Sequence, residues 1–461
     1  MCLGMLTERD GIQIKMHCIT IEDLVPQEHF LRKLENAVDF SFVYDEVRDL
    51  YCPDNGRPGI DPVALVKYLL VGYLYGIESE RRIEQEIQVN MAYRWFLGLD
   101  LDGRVPDHST ISQNRRRRFH GENVFRRLFE HILQQCMDKG LVDGTVILTD
   151  STHVKANASF KKNIQVLAQQ QTTGYMERLD RYEAQERARL EAAGIIRAQH
   201  TKREKKESAQ AEKTVSSTDP DAGMLNRPGK PRGMHYLSHQ SLDAAHGIVV
   251  DVLVTPGNSN DSEPYLERIE YMREHLGLDI REAGADSAYG TSLIYKAMAD
   301  MGIRLHTPGT TGGVTYKVEL TREDFHYDPE KDFFICPAQK PLTLRSLERE
   351  QYNICRIYRA DRKDCRNCPM LKKCVSNSHR SRTIRVNIFE DTVKKQRRTD
   401  DTPVHKHILK LRQIWCEGSF AAQKRTHNLR RLFRRGLEAA QDHCLLSATA
   451  LNLKRMVKCL G

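Results

Sequence analysis

Three acidic residues stand in separate local contexts that suit metal-dependent chemistry on a phosphodiester. Asp150 ends the apolar run Thr145-Val146-Ile147-Leu148-Thr149, and Asp286 sits in Ala283-Gly284-Ala285-Asp286-Ser287-Ala288-Tyr289-Gly290. Glu417 opens Glu417-Gly418-Ser419-Phe420-Ala421-Ala422-Gln423-Lys424-Arg425. An Asp after an apolar run often only caps a turn. Two such Asp in one core point further, because close carboxylates repel unless a cation neutralises them. Oxygen-only ligands favour Mg²⁺ or Mn²⁺ over Zn²⁺. A pair of these ions activates a water or a 3′-hydroxyl and stabilises the leaving oxygen.

The residues after Glu417 add phosphate-binding groups. Lys424 and Arg431 follow at intervals of seven, which on one helix puts all three on one face. From Gly418 to Leu437 there are six Lys or Arg and no Asp or Glu. A solvated face usually mixes signs, so Lys424, Arg425, Arg430 and Arg431 are candidate DNA contacts. A second basic run, Arg115-Arg116-Arg117-Arg118, follows the capped helix start Asp107-His108-Ser109. It fits a helix-turn-helix-like DNA-binding region, the alternative being a solvated helix face. Lys155 and Asn157, just after the first Asp, are further candidates for DNA contact, and His153, His235, His239 and His246 read mainly as hydrogen-bonding or core residues.

Cysteines form a second constellation. Cys365-x2-Cys368 has knuckle spacing, Cys374 adds a third thiolate and Cys336 a fourth, which suits a closed structural Zn²⁺ site with Cys355 as a substitute ligand. Unligated thiols are the alternative. The other cysteines show no ligand spacing.

The elements that must position these groups are legible in outline. Residues 1–135 read as a helical N-terminal DNA-binding domain, with Asp61-Pro62 starting a buried helix over Val63–Tyr75. Residues 136–309 read as strands and helices in the order of an RNase H-like mixed-sheet α/β core. A strand from Val146 ends at Asp150, and a polar helical insertion, a hairpin or a partly disordered arm, occupies about 160–215. Residues 310–390 form a Cys-rich insert, and 391–461 are helical to the end and complete the core. The chain of 461 residues is 40% hydrophobic and 29% charged, with net charge +9, which suits a polyanionic partner. No run is apolar and long enough to span a membrane, and the N-terminus lacks a signal layout, so a cytoplasmic location with reduced thiols is expected.

Asp150-Ser151-Thr152, Ala285-Asp286-Ser287-Ala288-Tyr289 and Glu417-x6-Lys424 resemble, in order, the three motifs of DDE transposases from bacterial insertion sequences. Leu24 to about Arg118 is similar to the InsH-type N-terminal domain of these proteins, and the tail Lys424–Arg431 with Asn452-Leu453-Lys454-Arg455 is similar too. The resemblance implies that Asp150, Asp286 and Glu417 hold two Mg²⁺ or Mn²⁺, and that Lys424 contacts a phosphate. It implies cleavage at the terminal inverted repeats, strand transfer into target DNA, a homodimeric synaptic complex and a bacterial, nucleoid-associated location. The competing readings are an RNase H-like nuclease without strand transfer and a non-catalytic transposase-derived DNA-binding protein. The family's third motif often reads Tyr-x2-Arg-x3-Glu-x6-Lys; here Lys410 and Gln413 hold the first two places, with Arg412 adjacent.

Overall fold

The computed structural model describes residues 18–52, 59–159, 162–168, 173–196, 211–227, 229, 232–309, 318–350, 352–376, 380–398 and 400–461. The beginning of the expected N-terminal domain, parts of the expected insertion and residues 310–317 of the Cys-rich stretch lie outside these. The chain divides into two compact units, one running to Leu128 with Met456–Gly461, the other Phe129–Arg455.

The first unit is helical. Its elements are α1 (Ile21–Leu24), α2 (Phe30–Ala37), α3 (Phe42–Val47), α4 (Pro62–Tyr75), α5 (Glu80–Val89), α6 (Met91–Phe96) and α7 (His108–Arg117). Asp61 caps α4 by accepting from the Val63 and Ala64 amides, and Pro62 takes the first turn, where its missing N–H costs nothing. Every residue from Ala64 to Leu74 is buried, so α4 is the core of this unit, and even Lys67 is held inside by Glu35 at 2.6 Å. Asp107 caps α7 through the Ser109 amide. Helix α8 (Val124–Asp138) follows.

The second unit is mixed. Strands β1 (Val146–Lys155), β4 (Gly223–Leu225), β5 (Gly233–Asp243), β6 (Val249–Pro256), β7 (Glu282–Gly284) and β8 (Arg304–His306) form one sheet, ordered β4-β5-β1-β7-β8 with β6 also on β5. Strand β1 is antiparallel to β5 and parallel to β7, and β7 is parallel to β8. Strand β5 is buried throughout, as a central strand covered on both faces must be. Helices α10 (Tyr265–Glu274) and α11 (Ser292–Asp300) connect the later strands.

Three expectations are corrected. Strand β1 does not stop at Asp150 but runs on to Lys155, because β5 pairs with it along its whole length; only the parallel partner β7 ends early. The insertion is not a helical hairpin. Among its described residues it contains an antiparallel pair, β2 (Asn163–Ala168) with β3 (Ala211–Ser216), and one long helix, α9 (Gly174–Ala192). The C-terminal region is not continuously helical. Helices α15 (Pro403–Arg412) and α16 (Gly418–Thr426), joined by a π-helical turn, are separated from α17 (Leu437–Leu460) by an irregular stretch.

Residues 318–398 build a second sheet, β9 (His326–Asp328), β10 (Phe333–Ile335), β11 (Pro341–Glu350), β12 (Asn353–Ala360) and β13 (Thr383–Asn387), antiparallel and ordered β13-β12-β11-β10-β9. Short helices α12 (Arg362–Arg366) and α13 (Leu371–Cys374) lie between its last two strands, and α14 (Glu390–Arg397) follows. Helix α9 bridges this sheet and the first. Arg349 reaches Asp180 and Glu183, Arg356 reaches Glu186 at 2.7 Å, and Tyr182 packs edge-on against Phe389. On its other side Arg178 pairs with Glu270 of α10, and the Tyr175 hydroxyl bonds Thr291 at 2.9 Å.

Candidate active site

Strands β1 and β7 bring the two aspartates together. Their parallel register runs Val146↔Glu282, Ile147↔Ala283, Leu148↔Gly284, after which β7 leaves the sheet. Asp150 and Asp286 each lie two residues past the last pair, so the same register carries them to neighbouring positions. Pairing with β7 ends at this point, while β5 keeps β1 extended to Lys155. Asp286 then caps a short 3₁₀ turn, Ser287–Tyr289, through the Ser287 amide.

The helical run bearing Glu417 lies across this point. Arg412 donates from Nη1 to Asp150 Oδ2 at 2.8 Å, and Lys424 Nζ donates to Thr152 Oγ1 at 2.6 Å. Asp150 and Thr152 are two apart on β1 and share a face. Glu417 lies between their two helical partners and is exposed. A reciprocal amide pair fixes the helix: Gln423 donates to Gln240 at 2.8 Å and Gln240 to Gln423 at 3.0 Å, both fully buried. Gln240 is the β5 residue paired with Asp150. At the other end α15 crosses β7 closely enough that a Cβ on Gly284 would lie 2.8 Å from Ile408 Cγ2, so a side chain there would push the helix away.

Gln413–Glu417 forms the π turn. A π turn holds one more residue than an α turn. Arg412 and Glu417, five apart, therefore fall on one face as residues four apart do in an α-helix. This explains how Arg412, one place off the expected motif position, still reaches the acid.

Electrostatics agree with a centre short of positive charge. The Asp150 carboxyl is pushed above the ordinary range, chiefly by burial, with Asp286 and Asp261 adding to the rise. The Ser151 amide and Arg412 oppose it. Burial lowers His235, and Lys155 and Lys424 lower it further, which gathers these cations at the far end of β1.

The basic residues are placed unevenly. Helix α16 ends at Thr426, and Asn428 takes φ 61°, so Arg431 is not on the helix of Glu417 and Lys424. Arg431 instead makes a bridge with Lys155; the Lys155 amide bonds Arg430 O at 3.3 Å and the Leu432 amide bonds Lys155 O at 2.9 Å. Arg425, Arg430 and Arg431 are exposed. In the other run Arg116 and Arg117 are exposed, whereas Arg115 is buried against Glu80 at 2.5 Å and Arg118 stacks on Tyr51 at 4.2 Å. Asn157 bonds Phe433 O at 2.9 Å.

Cys336, Cys365, Cys368 and Cys374 come from the β10–β11 turn and from α12, α13 and the link between them. Burial raises the thiols of Cys365 and Cys374; Cys368 and Cys336 add to the rise of the first, and Cys365, Cys336 and Cys368 to that of the second. Cys355 is raised by burial, Glu348 and Glu390 and stands apart from the set. Among the described residues, Glu84, Asp107 and His108 bring ligand atoms within 4.8 Å of one another. These groups hold the start of α7: Glu84 accepts from both the amide and the ring of His108, at 2.9 and 2.6 Å. His153 meets Gly257 O at 3.2 Å, His239 meets Thr255 Oγ1 at 2.9 Å and His246 meets Leu141 O at 3.3 Å; full burial pushes His239 down to about 4.

Sequence reasoning left Arg412 without an assigned contact and missed the Gln240–Gln423 pair. The first sits one residue off its motif place; the second carries no signal in a single chain. No helix among the described residues is long and apolar enough to cross a membrane. No curated protein matches the chain. Residues 19–117 match the family described as Transposase domain (DUF772), and residues 335–457 match Transposase DDE domain. The second match includes the four cysteines, Glu417 and Lys424; Asp150 and Asp286 lie outside both. These two matches, in this order, support a DDE-type transposase of the insertion-sequence type.

Proposed function

We propose that the protein cuts DNA at the ends of its own insertion sequence and joins the freed 3′ ends to target DNA, using Asp150, Asp286 and Glu417 as metal-holding acids. The observation that carries this is the convergence on one face of β1: two aspartates continuing a parallel register, with Glu417 on a helix pinned there by Arg412, Gln423 and Lys424. The sheet, in which β1 runs antiparallel to β5 and parallel to β7, with β8 parallel beyond β7, supports an RNase H-like core. The donor set fits Mg²⁺ or Mn²⁺, being all carboxylate, with its buried member raised chiefly by burial and further by its acidic neighbours.

Two divalent ions held there supply activation of the attacking oxygen and charge stabilisation of the leaving one. The chain's own residues do the rest. Arg412 orients the Asp150 carboxylate and lessens its charge until the cation arrives. Lys424, bonded to Thr152 two residues along the same β1 face from Asp150, holds a backbone phosphate next to the scissile one. Arg430 and Arg431, carried beside Lys155, extend that contact, and Arg116 and Arg117 bind DNA from the helical unit. Holding two element ends together calls for a homodimer. Cys336, Cys365, Cys368 and Cys374 hold a structural Zn²⁺ that fastens α12 and α13 to the second sheet.

The test is a cleavage and joining assay on DNA carrying the element's flanks, with Mg²⁺ or Mn²⁺, for the wild type and Glu417→Gln. End-specific nicking with joined product, reduced roughly 10³-fold in the variant, is expected for loss of several kcal/mol of metal-borne stabilisation. Nicking of any DNA without joining would instead make the protein a nuclease. Folded wild type that binds DNA and never cuts it would make it a binding protein.

A further inference from the structure

We propose that His306 and His405 are positioning residues for the cutting step: bonded to each other inside the core, they set α15, and with it Glu417, against β7, the strand that leads to Asp286. The inference rests on the reading of Asp150, Asp286 and Glu417 given above.

The pair lies where three elements meet. On the two parallel strands Glu282 pairs with Arg304 and Gly284 with His306, which puts Glu282, Gly284 and His306 on one face of the sheet. Helix α15 crosses that face, and Ile408 fits where Gly284 has no side chain. The helix starts at a fixed point: Thr402 Oγ1 accepts from the His405 amide at 3.3 Å, and Pro403 fills the first turn. His405 Nδ1 lies 3.0 Å from His306 Nδ1, with His306 fully buried and His405 5% exposed. The other ring nitrogen of His306, Nε2, meets Glu282 Oε2 at 2.5 Å. The main chain of His306 is tied to the same place, since its carbonyl accepts at 2.9 Å from the amide of Ala285, the residue before Asp286. Three side chains thus join β7 and β8 to α15.

The chemistry gives the link a direction. A carboxylate only accepts, so Glu282 keeps a proton on His306 Nε2. In the neutral ring that leaves His306 Nδ1 as an acceptor, and His405 Nδ1 donates to it. When His306 takes a proton the bond reverses and persists. It fails only when both rings are charged, which sets two N–H groups head to head. Burial opposes that state by lowering His405; His306 and Lys406 lower it further, against Asp400, 3.8 Å from its Nδ1, and Asp401. An apolar pair would fill the same space without desolvating two rings, whereas the hydrogen bond adds a fixed direction. From His405 the helical run continues through Arg412, bonded to Asp150, to Glu417. A slip of α15 over β7 therefore moves Glu417 relative to both aspartates, and a misplacement of about 1 Å costs about 10²-fold in rate.

The test measures the cutting rate at saturating flank-bearing DNA in Mg²⁺ for wild type, Glu417→Gln, His405→Ala, His306→Asn and His306→Gln, with DNA affinity read separately in chelator. An Asn amide reaches the place of Nδ1 and a Gln amide that of Nε2. His306→Asn therefore keeps the bond to α15, and His306→Gln keeps only the bond to Glu282. His405→Ala and His306→Gln are expected to cut about 10²-fold slower at saturation, with DNA affinity and near-ultraviolet circular dichroism unchanged. His306→Asn should retain most of the rate. A packing role predicts the reverse order, because Gln matches the volume of His better. That reverse order, or wild-type rates in both His405→Ala and His306→Gln beside an inactive Glu417→Gln, would overturn the positioning role and leave the three-acid centre standing. Should His405→Ala fail to fold, the two His306 variants, which stay polar, decide. A second arm titrates Mn²⁺ alone into each full chain and follows the free ion by electron paramagnetic resonance. If wild type does not cut, the same ranking in Mn²⁺ affinity supports the positioning role and equal affinities overturn it. Wild type that neither cuts nor binds Mn²⁺ would overturn the reading of the three acids and the positioning role with it.

Discussion

Asp150 carries the sharpest conflict in the molecule between folding and chemistry. Burial raises its carboxyl pKa above the ordinary value, with Asp286 and Asp261 on the same side and Arg412 against. A carboxyl with a raised folded-state pKa holds its proton more tightly in the folded than in the unfolded chain. As pH rises through the unfolded value the unfolded chain ionises first, so stability falls until the folded pKa is passed and then stays low. Without metal, Asp150→Asn should therefore melt higher than wild type at neutral pH, and the gap should close as pH drops toward the ordinary carboxylate range. Mg²⁺ should reverse the order, since a ligand at 100 times its dissociation constant adds about 2.7 kcal/mol to the chain that binds it. Thermal melts from pH 5 to 8, in chelator and in Mg²⁺, read both effects; an equal Mg²⁺ response in the two proteins would remove Asp150 from the metal site. Asp150 and Asp286 stand out in sequence as a pair, because two acids bordering apolar runs of one core repel unless a cation neutralises them. Arg412 does not, because its contact depends on a π turn that no local pattern announces.

At the scale of elements, the succession of strands and most helices along the core was legible, because apolar runs and caps are local signals. What spans the core was not. Helix α9 reads as a polar arm, since nearly half of its residues are charged. Those charges are its attachment: Arg349, itself 7% exposed, holds Asp180 and Glu183, and Arg356 holds Glu186. Pairing of this kind is invisible until the partner sheet is in view. The break after α16 was equally hidden, because Asn428 adopts a left-handed conformation within a sequence that reads as helical. The cysteine spacing was legible, and the four cysteines fall in one stretch between β10 and β13. If they hold zinc, purified protein should contain one Zn²⁺ per chain by elemental analysis, and Cys365→Ser should lose it. Structural sites are worth about 10–16 kcal/mol in small zinc-dependent peptides, so the second sheet should become protease-sensitive in the variant while β1 and its neighbours resist. Zinc-free wild type with an intact second sheet would leave the cysteines as ordinary thiols.

At the scale of the whole molecule, a net charge of +9 says that DNA is a fitting partner but not where it lies. The fold sorts the cations. Arg115 is buried against Glu80 and Arg118 is stacked on Tyr51, whereas Arg116, Arg117, Arg425, Arg430 and Arg431 are exposed. The two groups should separate in the salt dependence of binding, because each phosphate contact releases a condensed counterion and contributes about 0.9 to the slope of log affinity against log salt. Arg430→Ala and Arg431→Ala should each lower the slope for an end-bearing duplex by about one, and Arg116→Ala or Arg117→Ala likewise if the helical unit also grips the backbone. Arg115→Ala should leave the slope alone and instead destabilise the helical unit by about 3–5 kcal/mol, since it strands Glu80 beside a vacated site. Fluorescence anisotropy across a potassium chloride series, in chelator so that no cutting occurs, separates these effects. A slope unmoved by either Arg430→Ala or Arg431→Ala would mean that DNA does not follow β1 past Lys155. The phosphate path would then have to leave the centre by the α15 side, where Lys410 rather than Lys424 is the nearest cation in sequence beyond Arg412.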